Sequence, residues 1–470
     1  MLCASAYQPW IDKYPGSTAG GKHYCLNRNN TYWEYSRPFW DYQARCSALM
    51  RKGVPVVDIC VYLGQNPPVK LVTYRLPEIP EGYDFDVCTA EALVGRTMAV
   101  DGRLTLPTGI SYSLLVIQRN NDMPLHVLRH IAGLVKGGVI VCGPRPDGSD
   151  SLKDKAESEE YRALVDELWG ELTTVSQIRK VGKGKIYENI PLSEALKYEN
   201  IRPDIAVKSG NTAKDKVYFV HRRLSDADVY FLNNHSDRAF HDTVRLRTDA
   251  RQAEYWDAVT GQRYMIPVKA SGEKGMLLNL TLAPRESGFI VTSNNQATGL
   301  LPIIADVQET ITPIEGSWNV YFDPRWGGPG KVVFDELIDW TVHADTGIRY
   351  YSGTAVYHKE LNLAMPAQNE RLLLRFPRLG SLARVWVNGK EVVTVWCSPW
   401  EADITSYVHE GKNNLKIEVV NSLMNRMIGD ASLPESERFT YAYPQIATPT
   451  DKLVPSGIME QLNLVYRQCQ

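Results

Sequence analysis

A chain of 470 residues with 44% hydrophobic and 23% charged side chains holds enough apolar material for two to four packed domains. Its formal net charge of −2 sets up no overall field that would draw nucleic acid or an anionic membrane, and no run of about 18 apolar residues is present to cross a bilayer. Eight scattered cysteines show no CxxC and no Cys/His spacing, which excludes a disulfide framework and a zinc module.

Residues 1–35 are aromatic and rich in Gly and Asn, with Pro15-Gly16, Gly20-Gly21 and the run Asn27-Arg28-Asn29-Asn30-Thr31-Tyr32-Trp33. No helical or strand period fits them. A long irregular stretch inside a compact protein is usually functional or disordered, and the rings argue against disorder. The opening MLCASAYQPW has neither a basic nor an apolar region, so it does not read as a signal peptide. Residues 36–52 read as a helix: Phe39, Tyr42, Cys46 and Leu49 fall three or four apart, and Arg51-Lys52-Gly53 supply the cations and glycine that suit a C-terminus.

Three nearly continuous apolar runs follow, over 54–63, 112–117 and 138–143, as expected of buried parallel strands. Between the last two, Leu125, Leu128, Ile131 and Val135 share one helical face, with Asn121 and Asp122 as the cap and Pro124 in the first turn. A second helix over 157–169 carries Tyr161, Leu164, Val165 and Leu168. Strand, helix, strand with short connections predicts an α/β domain over 53–205. From about 206 the apolar period becomes two, in 217–220, 228–232, 243–247 and 276–282, which predicts a small antiparallel β domain over 206–300. Residues 301–470 read as all-β. Their clearest hairpin runs 383–387, Asn388-Gly389, 390–393, because Asn-Gly suits a type I′ turn. With the alternating 415–419, it predicts a jelly-roll β-sandwich.

A set of motifs runs through nearly the whole chain. It comprises Tyr7-Gln8-Pro9, Pro15-Gly16, Gly21-Lys22-His23, the 27–33 run, Asp41-Tyr42-x-x-Arg45, Gly53-x-Pro55-Val56-x-Asp58, Tyr62-x-Gly64, Pro80-x-Gly82-Tyr83-Asp84 and Asp101-Gly102. Later come Gly316-Ser317-Trp318-x-Val320, Tyr350-Tyr351-Ser352-Gly353-Thr354-Ala355, Val387-Asn388-Gly389-Lys390 and Asn425-Arg426-x-Ile428-Gly429-Asp430. In these the chain resembles glycoside hydrolase family 106, whose characterised members are mostly α-L-rhamnosidases. The resemblance implies that residues 1–52 are the end of a catalytic (β/α)8 barrel, left incomplete in this chain. It implies a flavodoxin-like domain next and a galactose-binding-like sandwich at the end. It further implies an inverting enzyme that removes terminal α-L-rhamnose from glycans, secreted or periplasmic, with both catalytic glutamates upstream of this chain. Residues 1–35 would then find their packing partners in the absent part of the barrel. Family members use calcium at the active site; this chain shows no Asp-rich loop, so calcium ligands are not identifiable from its sequence.

Inversion needs two carboxyl groups about 6.5–9.5 Å apart. Apart from Asp12 and Asp41, the first 50 residues hold only Glu34. It sits at the mouth of a helix, where the dipole alone favours a carboxylate. The better binding candidates are His23, Asn27, Arg28, Tyr32 and Trp33: donors and acceptors for hydroxyls, and rings for the apolar side of a deoxy sugar. The same residues also suit a loop held by its own hydrogen bonds with its rings buried. Trp386, Trp396 and Trp400 fit either a carbohydrate-binding face or sandwich core. Cys142 ends a strand, but Gly143-Pro144 follows, so no nucleophile elbow forms. His126 and His130 read as an exposed helix face rather than a zinc site. The alternative to a hydrolase part is a non-catalytic carbohydrate-binding or scaffold protein; an active enzyme with a new site lacks a carboxylate pair to support it.

Overall fold

The computed structural model describes residues 15–18, 28–64, 76–118, 123–149, 158–172, 174–208, 217–295, 301–302, 308–443 and 446–468. They are mostly β-sheet with few helices and divide into two compact units: Cys46–Leu301, and Met1–Arg45 together with Pro302–Gln470.

The first unit contains a six-stranded sheet. Five parallel strands, in chain order Ile59–Tyr62, Phe85–Cys88, Leu114–Ile117, Ile140–Cys142 and Gly184–Glu188, lie side by side as 2-1-3-4-5. Gln177–Val181 adds an antiparallel edge. Alternate residues serve opposite faces. Cys60, Tyr62, Leu115 and Ile117 pack under the helices Leu125–Lys136 and Ser158–Trp169, while Ile59, Val61, Leu114 and Val116 pack against Leu192–Tyr198. With both faces covered, an apolar side chain is required at every position, which is why the runs are continuous.

The predicted helix over 36–52 is Arg37–Met50, and that over 157–169 is Ser158–Trp169. The cap of Leu125–Lys136 is Pro124; Asn121 and Asp122 lie outside the described residues. The run 54–63 is not one strand. Val54–Pro55 joins the β-sandwich of this unit by pairing with Arg222 and Arg223, and only Ile59–Tyr62 enters the parallel sheet. Gly53 makes the join possible, because at φ +60° a Cβ there would lie 2.1 Å from the Arg223 carbonyl oxygen. The run 112–117 likewise divides: Ser111–Tyr112 closes a three-stranded antiparallel sheet with Met98–Val100 and Arg103–Thr105 before Leu114–Ile117 begins.

The sandwich of this unit sets a four-stranded sheet (Ile205–Val207, Phe240–Leu246, Met276–Leu282, Val268–Ala270) beside a seven-stranded one built around Val217–Arg223, Ala227–Asn234 and Ser287–Ser293. Met276–Leu282 buries every second residue, so Met276, Leu278, Leu280 and Leu282 all face inward.

In the second unit a six-stranded antiparallel sheet and a four-stranded one enclose an aromatic core of Trp318, Phe322, Trp340, Tyr351, Tyr357 and Phe376. The Asn388-Gly389 hairpin is present between Leu382–Val387 and Lys390–Val395, both turn residues having positive φ (50° and 77°). On the four-stranded sheet Arg375 and Arg467 each pair with both Glu309 and Glu401, at 2.6–2.9 Å.

Candidate functional site

Of the sequence candidates, His23 and Asn27 lie outside the described residues. Arg28 is exposed, Trp33 is 39% exposed, and Tyr32 is half-buried against Tyr35, Leu382 and Val420. The loop is tied down from below. Tyr35 is buried, its hydroxyl 3.2 Å from Thr354 Oγ1 and 3.3 Å from Glu418 Oε2, and the Arg384 guanidinium covers its ring at 4.2 Å. Arg384 also donates to the Glu34 carbonyl at 2.9 Å. The Thr31 hydroxyl donates to the main-chain carbonyl of Asn421.

The Asn425–Asp430 motif supports the same loop through a relay of contacts. The Asn425 side chain donates to the Val454 carbonyl at 2.7 Å and accepts from the Val454 amide at 2.8 Å, which fixes the helix Met424–Asp430. The buried Arg426 guanidinium lies 4.9 Å from the Phe439 ring and 3.9 Å from the Asp430 carboxylate. Asp430 accepts from the Thr440 amide at 2.8 Å and its hydroxyl at 2.6 Å. That positions Tyr441–Tyr443, which pairs in parallel with Gly16–Thr18, and Gly16 donates to the Asn29 carbonyl at 3.2 Å. The described part of residues 1–35 thus finds packing partners within this chain, in the final sandwich, contrary to the expectation that they lie elsewhere.

The acids near the loop do not form a facing pair. Glu34 is exposed in the first turn of the 3-10 helix Trp33–Tyr35, and Asp41 pairs with Arg37 one helical turn away at 3.6 Å. Among the described residues no group of three His, Cys, Asp or Glu side chains comes together that could hold a metal ion.

The remaining candidates resolve individually. Trp396 packs edge-on against Phe39 (5.7 Å) and Tyr42 (5.6 Å), which anchors the Arg37–Met50 helix. Trp400 packs on the sandwich core. Trp386 stands on the outer face with Lys416 4.1 Å above its ring, at the edge of a shallow pocket that also includes Asn319, His358 and Asn414. Cys142 is buried, and burial pushes its thiol up to about 11, so it is no nucleophile at neutral pH. His130 is not part of an exposed face: it is half-buried, its Nε2 is 3.0 Å from the Thr97 hydroxyl, and burial lowers its pKa.

Sequence reasoning missed a cleft of about 1240 Å³ in the first unit, between the α/β sheet and the sandwich. A continuous polar network lies beneath it and reaches its lining at Asp58, Asp228 and Arg247. His221, fully buried, is held by Asp204 at 2.9 Å and Asp228 at 3.0 Å, and stacks on Tyr230 at 3.9 Å. Burial opposes the charge of His221, but the two carboxylates outweigh it and raise its pKa. Burial likewise works against ionised Asp228, yet His221, Thr248 and Arg223 hold it down to about 2. Arg247 bridges Asp58 (2.7 Å) and Asp204 (3.1 Å) and donates to the Arg202 carbonyl at 3.0 Å, joining the two substructures. Each carboxylate of this network is matched by a cation: Asp58 by Arg247, Asp204 by His221 and Arg247, Asp228 by His221 and Arg223. Asp84 differs: burial raises it to about 6, but it does not line the cleft.

Comparison with known proteins places this geometry. The structure of a rhamnosidase from Novosphingobium sp. PP1Y superposes with a TM-score of 0.81 and 29% identity, over 98% of this chain and 43% of that one. A protein of Formosa agariphila named "Putative beta-glucuronidase" is 22% identical, over 91% of this chain and 54% of its own length. The chain therefore spans about half the length of the relatives it matches. Residues 305–466 match the sugar binding domain of glycosyl hydrolases family 2. The model of glycoside hydrolase family 106, described as alpha-L-rhamnosidase, matches residues 1–269 of the 470, and the chain belongs to that family.

Proposed function

We propose that this chain is part of a glycoside hydrolase that releases terminal α-L-rhamnose from glycans by inversion, and that it supplies a wall of the sugar pocket and supporting domains rather than the reacting carboxylates. The observation that carries this reading is the combination of family membership over 1–269 with the fold shared with a rhamnosidase along nearly the whole chain. The wall is assigned to His23, Asn27, Arg28, Tyr32 and Trp33. Arg28 and Trp33 are exposed on a loop whose base is pinned, so a guanidinium and a ring stand ready for hydroxyls and for the C–H side of a pyranose. Neither Glu34 nor the paired Asp41 provides the two opposed carboxyls that inversion requires. The family resemblance also supports a secreted or periplasmic setting.

Two measurements test the proposal. The chain alone is expected to give no turnover of 4-nitrophenyl α-L-rhamnoside; hydrolysis at the rate of a complete rhamnosidase would overturn the assignment of the carboxylates elsewhere. L-rhamnose is expected to shift the indole N–H resonance of Trp33, with an affinity that falls about tenfold or more in Trp33→Ala. An unmoved resonance at saturating sugar would remove Trp33 from the pocket.

A second reading, a carbohydrate-binding protein without catalysis, is supported by the match of 305–466 to a sugar binding domain. It predicts retention of glycan by the chain even when the 28–33 loop is altered.

A further inference from the structure

We infer that the cleft between the α/β sheet and the sandwich binds an anionic saccharide, one bearing a carboxylate or a sulfate ester, with Arg103 as its anchor. The saccharide class rests on family membership; the site is independent of the 28–33 loop. The cleft is roomier than the roughly 300–1,000 Å³ of pockets that enclose drug-sized ligands, at about 1240 Å³. Hydroxyl and amide side chains suited to sugar hydroxyls line it, among them Ser111, Ser225, Ser293 and Asn294.

Charge pairing singles out Arg103. In the wall of the cleft, Arg223 is matched by Asp228 at 3.0 Å, and Arg247 by Asp58 and Asp204. Arg103 has no such partner. Its guanidinium donates to the Ser111 hydroxyl (3.0 Å), the Ser113 hydroxyl (2.8 Å) and the Ser111 carbonyl (3.0 Å), all neutral. Those bonds occupy three of the five N–H groups of a guanidinium, which leaves two for a ligand. Burial lowers its pKa; nearby Asp58 opposes this, while Arg247 and Arg223 push the same way. Asp58 reaches this half-buried cation only through Ser113, whose hydroxyl donates to Asp58 at 3.0 Å, so the two remaining N–H groups can meet an anion, and a planar guanidinium recognises carboxylate and sulfate oxygens directionally.

The rim adds cations that are not spent on carboxylates. Arg202 donates to the Glu273 carbonyl at 2.7 Å and Arg245 to the Lys274 carbonyl at 3.3 Å, both main-chain oxygens. The rim also carries a third cation, Lys274, and three acids, Asp226, Asp249 and Glu273, so its charges balance and the unmatched charge is that of Arg103. That distribution favours one anionic group reaching inward from a sugar whose other hydroxyls meet a mixed polar rim.

Calorimetric titration of the whole chain with D-glucuronate, D-glucose 6-sulfate and D-glucose tests the site. At least one anionic sugar is expected to bind ten times or more tighter than glucose, and the difference is expected to shrink severalfold between 0.05 M and 1 M sodium chloride. Preference for glucuronate assigns a uronic acid, preference for the sulfate a sulfate ester, and binding of both assigns the shared anion. Arg103→Gln is expected to abolish the discrimination, with Arg103→Lys retaining part of it. Equal affinities for all three sugars, no binding of any, or discrimination that survives in folded Arg103→Gln would each overturn the inference. The wild-type comparison stands even if the variant does not fold. Loss of rhamnose binding at Trp33 would leave this result untouched, so the two proposals fail separately.

Discussion

His221→Ala is expected to lower the unfolding free energy by about 3–5 kcal/mol, the usual cost of removing one partner from a buried charged set. The change leaves Asp204 and Asp228, both buried or nearly so, facing each other's charge across the vacated ring. It also removes the stacking of the ring on Tyr230 at 3.9 Å. At roughly 2–4 °C per kcal/mol for a unit of this size, the thermal midpoint falls by about 10 °C. The loss depends on pH. The pKa of His221 is raised in the folded protein, so its stabilisation is fully present below the unfolded value near 6.5 and is lost as pH rises through the folded value. Asp228 is depressed to about 2, so its contribution is present above its unfolded value of about 3.9 and fades as pH falls toward 2. Scanning calorimetry of wild type and variant should therefore show the largest difference between about pH 4 and 6.5, narrowing on both sides. A difference that grows steadily toward pH 9 would mean that His221 is held neutral.

Trp340→Ala is expected to cost about 3–5 kcal/mol in the second unit. Trp340 is fully buried, packs edge-on against Phe322 (5.2 Å) and Tyr351 (5.8 Å), and donates through Nε1 to the Tyr357 hydroxyl at 2.7 Å. Both neighbours of the cavity belong to the same aromatic core, so little can collapse into it. Gly457 explains why the ring is fixed in place: at φ +92° a Cβ there would lie 2.3 Å from Trp340 Nε1. Trp340→Phe should recover part of the loss but not the hydrogen bond. Urea unfolding followed by circular dichroism checks both variants; a cost below about 1 kcal/mol for alanine would show that the core repacks freely.

Local signals carried much of the architecture. Residues three and four apart marked Arg37–Met50, unbroken apolar runs marked Ile59–Tyr62 and Leu114–Ile117, and Asn388-Gly389 marked its hairpin. The misreadings came where one apolar run served two sheets. Val54–Pro55 and Ile59–Tyr62 are equally hydrophobic, and only pairing with Arg222 and Arg223, remote in sequence, separates them. The cleft was harder still. Asp58, Arg103, Asp204, His221 and Arg247 come from five separate stretches and have no common spacing. The one available signal was Asp58, a carboxylate inside an apolar run, which required a buried partner that the sequence did not name. On the loop, Arg28 and Trp33 were visible as types, but the roles of Thr31 and Tyr35 as anchors depend on Asn421 and Thr354, 390 and 319 residues away.

Three residues, Val56 to Asp58, separate the strand stitched into the sandwich from the strand that founds the parallel sheet. Even fully stretched, such a tether reaches only about 11 Å. The tether therefore fixes the spacing of the two walls where it runs, and Arg247 ties Asp58 to Asp204 at the same end. A guest reaching that end would meet groups already in register and spend little free energy on gathering them.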